Sequence, residues 1–347
     1  MSVRVALIGA SGYTGLELLR ILLRHPEFEL AVATSEQRAG ARVSDAFPAF
    51  RGLIDLRFEP NDPARIAKRV ELAFCALPHA ASAPTVAALR AAGIRVLDLS
   101  ADFRLRDADT YRAWYGEHKA AELLGSAVYG LPELYREALR GAELIAVPGC
   151  YPTSVLLPLA PFLRGDWIET QGIAIDSKSG VSGAGRKLEE GLLFAEFADD
   201  CRAYKVGGQH RHIPEIEQEA SALAQRSVTV SFVPHLLPTL RGIATAIFAR
   251  PKRALGAEQA RELLASAYAQ ERFVRVLPAG EAPRLSAVRG SNFCDVAAFL
   301  DERTRTLVLL SALDNLVKGA SGQAVQCANL ACGFPEDLAL LEAPRVP

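Results

Sequence analysis

The sequence predicts an α/β chain in two parts. The first is a doubly wound parallel sheet over residues 1–149, and the second is an α+β unit on a mixed or antiparallel sheet. Three observations predict it. Short apolar runs alternate with helical spacing in the first part, as strands and crossover helices do. From residue 150 onward several strand-like runs follow one another with no crossover helix between them. At 347 residues the chain exceeds one core of ordinary size.

The apolar run at 3–8 is bounded by Gly9 and suits a buried parallel strand. Residues 13–23 show helical spacing, with Leu16, Leu19 and Leu23 on one face. Strands are expected at 28–34, 72–77 and 95–99, with a helix at 82–92. In the second part, residues 172–177, 228–233, 242–248, 295–300 and 306–311 read as strands. Residues 187–197, 213–224 and 257–269 read as helices. A last apolar helix over 315–331 stops at Gly333 and Pro335.

Half of the residues are hydrophobic, 23% are charged, and the formal net charge is -1 with no block of one sign. A nucleic-acid partner is therefore not expected, because a basic face supplies much of that affinity. The start of the chain lacks the pattern of a signal peptide, and no apolar run approaches a membrane span. The six cysteines form no close ligand pair. Reduced thiols in a cytoplasmic protein with a small-molecule substrate and no metal are the expectation.

Gly9, Ser11, Gly12, Tyr13, Thr14 and Gly15 follow the first strand and open the first helix. Glycines there permit a tight turn and close approach to a pyrophosphate, which the helix N-terminus then favours. The spacing is GxxGxxG, not GxGxxG, but the strand–turn–helix context supports a Rossmann-like dinucleotide site. After the second strand, Ser35 and Arg38 suit a ribose 2′-phosphate and favour NADP, although Glu36 pulls the other way.

Cys150 carries the strongest chemical signal. It follows Pro148 and Gly149 and precedes a helix-like stretch with Pro152 near its first turn. A thiol at a helix N-terminus is favoured as the thiolate nucleophile, whereas a buried structural cysteine is the bland alternative. The other five cysteines read as structural.

Residues 9–15, the segment Gly149-Cys150-Tyr151-Pro152-Thr153 and the segment His210-Arg211-His212-Ile213-Pro214-Glu215-Ile216 together resemble the N-acetyl-γ-glutamyl-phosphate reductase family of arginine biosynthesis. That family is similar to aspartate-semialdehyde dehydrogenases. The resemblance implies an NADP-binding domain over 1–149, a catalytic and oligomerisation domain over 150–312, and a C-terminal helix over 313–347 that returns to the first domain. It also implies NADPH-dependent reduction of an acyl phosphate through a thioester on Cys150.

His210 and His212 are both candidates for the acid/base, and the family's catalytic histidine falls on His210. The alternative for either is to cap the helix near Pro214 or to bind a backbone carbonyl. Tyr204 is expected to orient His210. A second glycine-rich loop with Ser182 and Gly183 reads as an anion nest, with Arg186 or Lys187 adding charge. By resemblance Arg104 holds the phosphate and the segment with Asn315 and Gly319 approaches the nicotinamide, while Pro78 and His79 are expected near the cofactor. The stretch 234–238 lines the substrate side or is a structural turn, and His25 and His118 read as surface residues.

Three other readings compete with this one. A sister reductase would act on aspartyl phosphate or on a carrier-linked aminoadipyl or glutamyl phosphate. A thiol hydrolase would use Cys150 but not residues 9–15, and a non-catalytic dinucleotide sensor would use the reverse. The family also suggests a homo-oligomer, a dimer or tetramer.

Overall fold

The computed structural model describes residues 2–345. They divide into two compact units: one runs to Pro148 and includes Ala320–Leu341, and the other spans Gly149–Gly319 and the chain from Glu342.

The first unit is built on seven strands: β1 (Val3–Ile8), β2 (Phe28–Thr34), β3 (Phe58–Glu59), β4 (Leu72–Cys75), β5 (Arg95–Asp98), β6 (Val128–Tyr129) and β7 (Leu144–Ala146). They pair in the order β3-β2-β1-β4-β5-β7-β6, and every pairing is parallel. Val5, Ala6, Leu7 and Ile8 are fully buried, as a strand covered on both faces requires. The strand order reverses between β1 and β4, which opens a crevice beyond the carboxyl ends of those two strands.

The first helix, Tyr13–Leu22, buries Leu18, Leu19, Ile21 and Leu22, so its core face differs from the expected Leu16–Leu19–Leu23 stripe. The helix Gly322–Cys332 contributes to the difference by packing against it within the same unit. That helix is buried on all sides, and Gln323, Gln326 and Asn329 each make a side-chain hydrogen bond. Gln323 Nε2 donates to Gly130 O at 2.8 Å, and Asn329 Oδ1 lies 2.9 Å from His25 Nε2. His25 is therefore a core residue and not a surface one. Its Nδ1 accepts the Phe28 N–H, and burial pushes its pKa down. His118 is half-buried, with Nε2 2.7 Å from Asp102 O.

The second unit also holds seven strands: β8 (Ile173–Gly180), β9 (Arg202–Ala203), β10 (Val230–Leu237), β11 (Ile243–Ala249), β12 (Val274–Val276), β13 (Cys294–Asp301) and β14 (Thr306–Leu313). Their order is β12-β13-β14-β11-β8-β10-β9. Pairing is mixed, with β10–β8 and β12–β13 parallel and the others antiparallel. The helices Cys150–Arg164 and Ala257–Ala267 pack against this sheet, and Ile213–Ala224 packs against both the sheet and Cys150–Arg164. On alternate positions of β10 and β11, Val233 and Phe248 stay exposed.

The helix Cys150–Arg164 carries Pro158 and Pro161 in its interior, where each removes a hydrogen bond to the carbonyl four residues back. Both orphaned carbonyls find hydroxyl donors. Ser311 Oγ donates to Ser154 O at 2.6 Å, and Tyr268 OH donates to Leu157 O. The same helix buries twelve residues, which explains its apolar sequence. No helix among the described residues is long and apolar enough to cross a membrane.

Two expected helices differ. Residues 187–197 form a 3-10 turn, Glu190–Leu192, and a single helical turn, Phe194–Phe197, with Leu188 and Phe194 exposed. Glycine at 191 and the lack of a surface to bury those side chains leave the helix unsupported. The expected helix from 315 begins instead as a π-turn, Val317–Ser321, and becomes α-helical only at Gly322.

Candidate active site

In the first unit, residues 9–15 lie at the β1–β4 crevice. Gly9 has φ +81°, and a Cβ there would lie 2.5 Å from Ala76 O. A Cβ on Gly15 would lie 2.7 Å from the Ala10 backbone. Those two glycines are demanded by the protein itself. Gly12, the N-cap of the helix, faces open space, and no acidic residue occupies the first turn. The first-turn N–H groups have no intrahelical partners and favour an anion. The residues thus fit a dinucleotide pyrophosphate, despite the unusual spacing.

Ser35 is buried and its Oγ donates to Ser11 Oγ at 2.9 Å, which ties the strand end to the glycine loop. Arg38 lies with its guanidinium carbon 5.2 Å from the Phe47 ring centroid. Glu36 accepts the Asn61 N–H at 2.7 Å. Tyr13 is exposed at the mouth of the helix, and Thr14 O accepts from Ser321 Oγ at 3.0 Å. Pro78 is exposed on the turn after β4. Arg104 is buried, with Nε donating to Val147 O at 2.7 Å and Nη2 to Leu99 O at 2.8 Å. Those donors serve the first unit's own backbone.

In the second unit, Cys150 is half-buried at the first position of its helix, with Gly149 as N-cap. The Gly149 N–H donates to Glu215 Oε1 at 2.8 Å, and Glu215 is itself buried in the first turn of the helix Ile213–Ala224. Glu215 therefore holds the backbone just before the thiol. In the sequence it stands inside the His210–Ile216 segment, but nothing there marks its contact with the Gly149 turn.

His210 is 7% exposed and packed against aromatic rings. Its ring centroid lies 5.5 Å from those of Tyr151 and Tyr204, 5.2 Å from Phe232 and 4.9 Å from His212. Burial, with a contribution from Lys205, lowers its pKa to about 4, so it is neutral at physiological pH. His210 Nδ1 accepts the His212 N–H at 3.2 Å, which assigns the imidazole proton to Nε2. His212 is the N-cap residue of the helix Ile213–Ala224 but makes no side-chain cap. Tyr204 OH donates to Tyr151 OH at 3.2 Å, and burial lifts the Tyr204 pKa to about 12 and pushes that of Tyr151 up as well. Both phenols remain neutral. The edge contact of Tyr204 with His210 restrains that ring.

The structure joins several other expected residues. Asn315 is buried, with Nδ2 donating to Ser182 Oγ at 3.0 Å and Oδ1 accepting the Gly242 N–H at 2.7 Å. Gly183 sits over Ser179, whose Oγ would lie 2.8 Å from an added Cβ. The loop is less of an anion nest than its glycines suggest. The N–H groups of Val181 and Ser182 are taken by Thr239 O and Leu240 O. Gly319 backs Cys150 from the π-turn. The buried carboxylate of Asp314 organises this region: it accepts from Gly290 N at 2.6 Å, Leu316 N at 2.9 Å and Arg241 Nη2 at 3.0 Å. His235 Nδ1 lies 3.1 Å from Asp176 Oδ1.

Comparison with known proteins adds a family. Residues 4–142 match the family model described as "Semialdehyde dehydrogenase, NAD binding domain", and residues 150–315 match "Semialdehyde dehydrogenase, dimerisation domain". The chain is 51% identical over 336 residues to an N-acetyl-gamma-glutamyl-phosphate reductase of Pelobacter propionicus, covering 97% of each chain. It is 52% identical over 344 residues to one of Geobacter sulfurreducens, covering 99% of each. Among solved structures it is similar to aspartate semialdehyde dehydrogenase II of Vibrio cholerae. There the TM-score is 0.74 at 20% identity, covering 96% of this chain and 99% of that one. The enzyme of Candida albicans with NADP gives 0.69 at 16% identity, covering 95% and 98%. These structural likenesses show the fold. By its sequence matches, the chain belongs to the N-acetyl-gamma-glutamyl-phosphate reductase family of semialdehyde-dehydrogenase-type proteins.

Proposed function

We propose that this protein reduces N-acetyl-γ-glutamyl phosphate to N-acetylglutamate 5-semialdehyde and phosphate in arginine biosynthesis, with NADPH as reductant and Cys150 as nucleophile. The observation that carries the proposal is Cys150 at the first position of a long helix in a chain half identical to reductases of that name.

The Cys150 thiolate attacks the acyl carbon, forms a thioester and displaces phosphate, which leaves carrying the one proton that the overall reaction consumes. Covalent capture divides one difficult reduction into two easier steps. When bound, the reduced nicotinamide supplies the hydride that turns the thioester carbonyl into an aldehyde. His210, neutral with its proton on Nε2, donates a hydrogen bond to the substrate oxygen as negative charge develops there. Tyr204 and the His212 backbone hold that ring, and Glu215 holds the turn that carries the thiol. Collapse of the tetrahedral oxyanion releases the aldehyde and restores the thiolate.

Ser182, Gly183 and His212 supply substrate contacts in the second unit. Residues 9–15, Ser35 and Arg38 hold the dinucleotide, and Arg38 with a tied-back Glu36 supports a preference for the 2′-phosphate. The exposed Val233 and Phe248 on one sheet face support self-association through the second unit, in keeping with its match to a dimerisation domain.

The test is a reverse assay. Purified protein is mixed with N-acetylglutamate semialdehyde, phosphate and NADP⁺, and the reduced cofactor is followed by absorbance, with aspartate semialdehyde as competitor. Turnover with the acetylated substrate alone supports the proposal. Turnover with aspartate semialdehyde alone reassigns the protein to the sister reaction.

A further inference from the structure

The turn after β4 is held by the carboxylate of Asp102, two residues before Arg104. Ala80 adopts φ +63°, a left-handed conformation that is costly for a residue with a Cβ. Its N–H donates to Asp102 Oδ1 at 2.6 Å. The other oxygen, Oδ2, accepts from Ser82 N at 3.0 Å and Ala83 N at 2.9 Å, the start of the helix Ala83–Ala91. Tyr111 OH donates a fourth hydrogen bond, to Oδ1 at 3.0 Å. Asp102 is fully buried and takes the capping role, because Ser82 makes no side-chain cap of its own and gives its hydroxyl to Asp98. A second stitch runs beside it, with Ala101 N donating to His79 Nδ1 at 3.0 Å.

The turn so held borders the glycine loop. A Cβ on Gly9 would meet Ala76 O at 2.5 Å and Leu77 Cδ2 at 3.3 Å, so residues 76–80 form one wall of the β1–β4 crevice. Pro78 and His79 are the exposed residues of that wall. We infer that Asp102 is a positioning residue for the dinucleotide: it clamps Ala80 in its left-handed conformation and thereby fixes the Pro78–His79 wall before the cofactor arrives. The inference rests on the first unit binding a dinucleotide at residues 9–15. A carboxylate suits the task because four donors converge on two oxygens. An amide has one acceptor oxygen and would turn an N–H₂ toward at least one donor.

The experiment is a fluorescence titration of the full-length protein with NADPH, alongside its thermal unfolding and steady-state kinetics. Asp102→Asn should raise the dissociation constant about tenfold or more, the penalty for an unmet buried donor. Turnover at saturating NADPH should fall much less than affinity. Adding Ala80→Gly to Asp102→Asn should recover much of the affinity, because glycine adopts positive φ without cost. Ala80→Val leaves the buried carboxylate untouched and should also weaken NADPH binding, so it carries the test if the Asp102 variant does not fold. Folded Asp102→Asn or Ala80→Val protein with the parent's dissociation constant would overturn the inference. A parent that binds no NADPH would instead overturn the dinucleotide reading beneath it.

Discussion

Gly319 lies against Cys150: a Cβ on residue 319 would sit 2.8 Å from Cys150 Cβ and 3.2 Å from its Cα. No real side chain tolerates that spacing, so glycine at 319 is the condition for the thiol to occupy its place. The π-turn Val317–Ser321 exists where an uninterrupted α-helix was expected, as such turns often do beside functional groups. Gly319→Ala should therefore lower kcat/KM on the order of 10²-fold while reducing stability by only about 1–3 kcal/mol, since overpacking forces a local shift. Steady-state kinetics with a denaturant titration check this. Unchanged kcat/KM would show that the thiol has room to spare.

His210 should make stability depend on pH. Its folded pKa is about 4 and its unfolded value about 6.5. The unfolded state therefore binds more protons between those values. The contribution from a neutral, buried ring is fully present above about pH 6.5 and is lost as pH falls through about 4. Replacing His210 by Asn should flatten the stability profile across that window by on the order of 2 kcal/mol and cut turnover about 10²-fold. Urea unfolding at pH 7 and pH 4.5 for both proteins measures the first effect. Parallel curves for parent and variant would contradict the buried neutral imidazole.

Arg38→Ala should raise the Michaelis constant for NADPH far more than that for NADH, by about tenfold for the loss of a charged hydrogen bond to phosphate. Equal changes for the two cofactors would remove Arg38 from 2′-phosphate recognition.

The exposed face of the second sheet should be an interface between copies. Phe248→Glu with Val233→Asp should shift the protein to a smaller species in analytical ultracentrifugation, because burying unpaired charge is costly. An unchanged sedimentation coefficient would place the interface elsewhere.

The strands and the helix start at Cys150 were legible because their signals are local. β1 appears over the expected residues, and the turn around Gly9 is marked by composition. Cys150 is marked by its Pro-Gly turn and following helix. What was not legible depends on distant partners. Asp102, Asp314 and Glu215 are acids that look like solvated residues until their backbone donors are brought to them by other segments. His25 looked exposed because its partner, Asn329, lies 304 residues away. The helix expected over 187–197 failed for the converse reason: Leu188, Leu193 and Phe194 find no surface to bury them. Pro158 and Pro161 could stand inside a helix only because Ser311 and Tyr268 supply the missing donors, which no local rule anticipates.

The most direct test of the account replaces Cys150 by serine and repeats the phosphate-dependent reduction of NADP⁺ by N-acetylglutamate semialdehyde. Serine keeps the shape and the helix N-terminus but lacks a readily ionised nucleophile. The account predicts a loss of about 10³-fold or more with NADP⁺ binding intact. A serine variant that turns over as fast as the parent would contradict the thioester route.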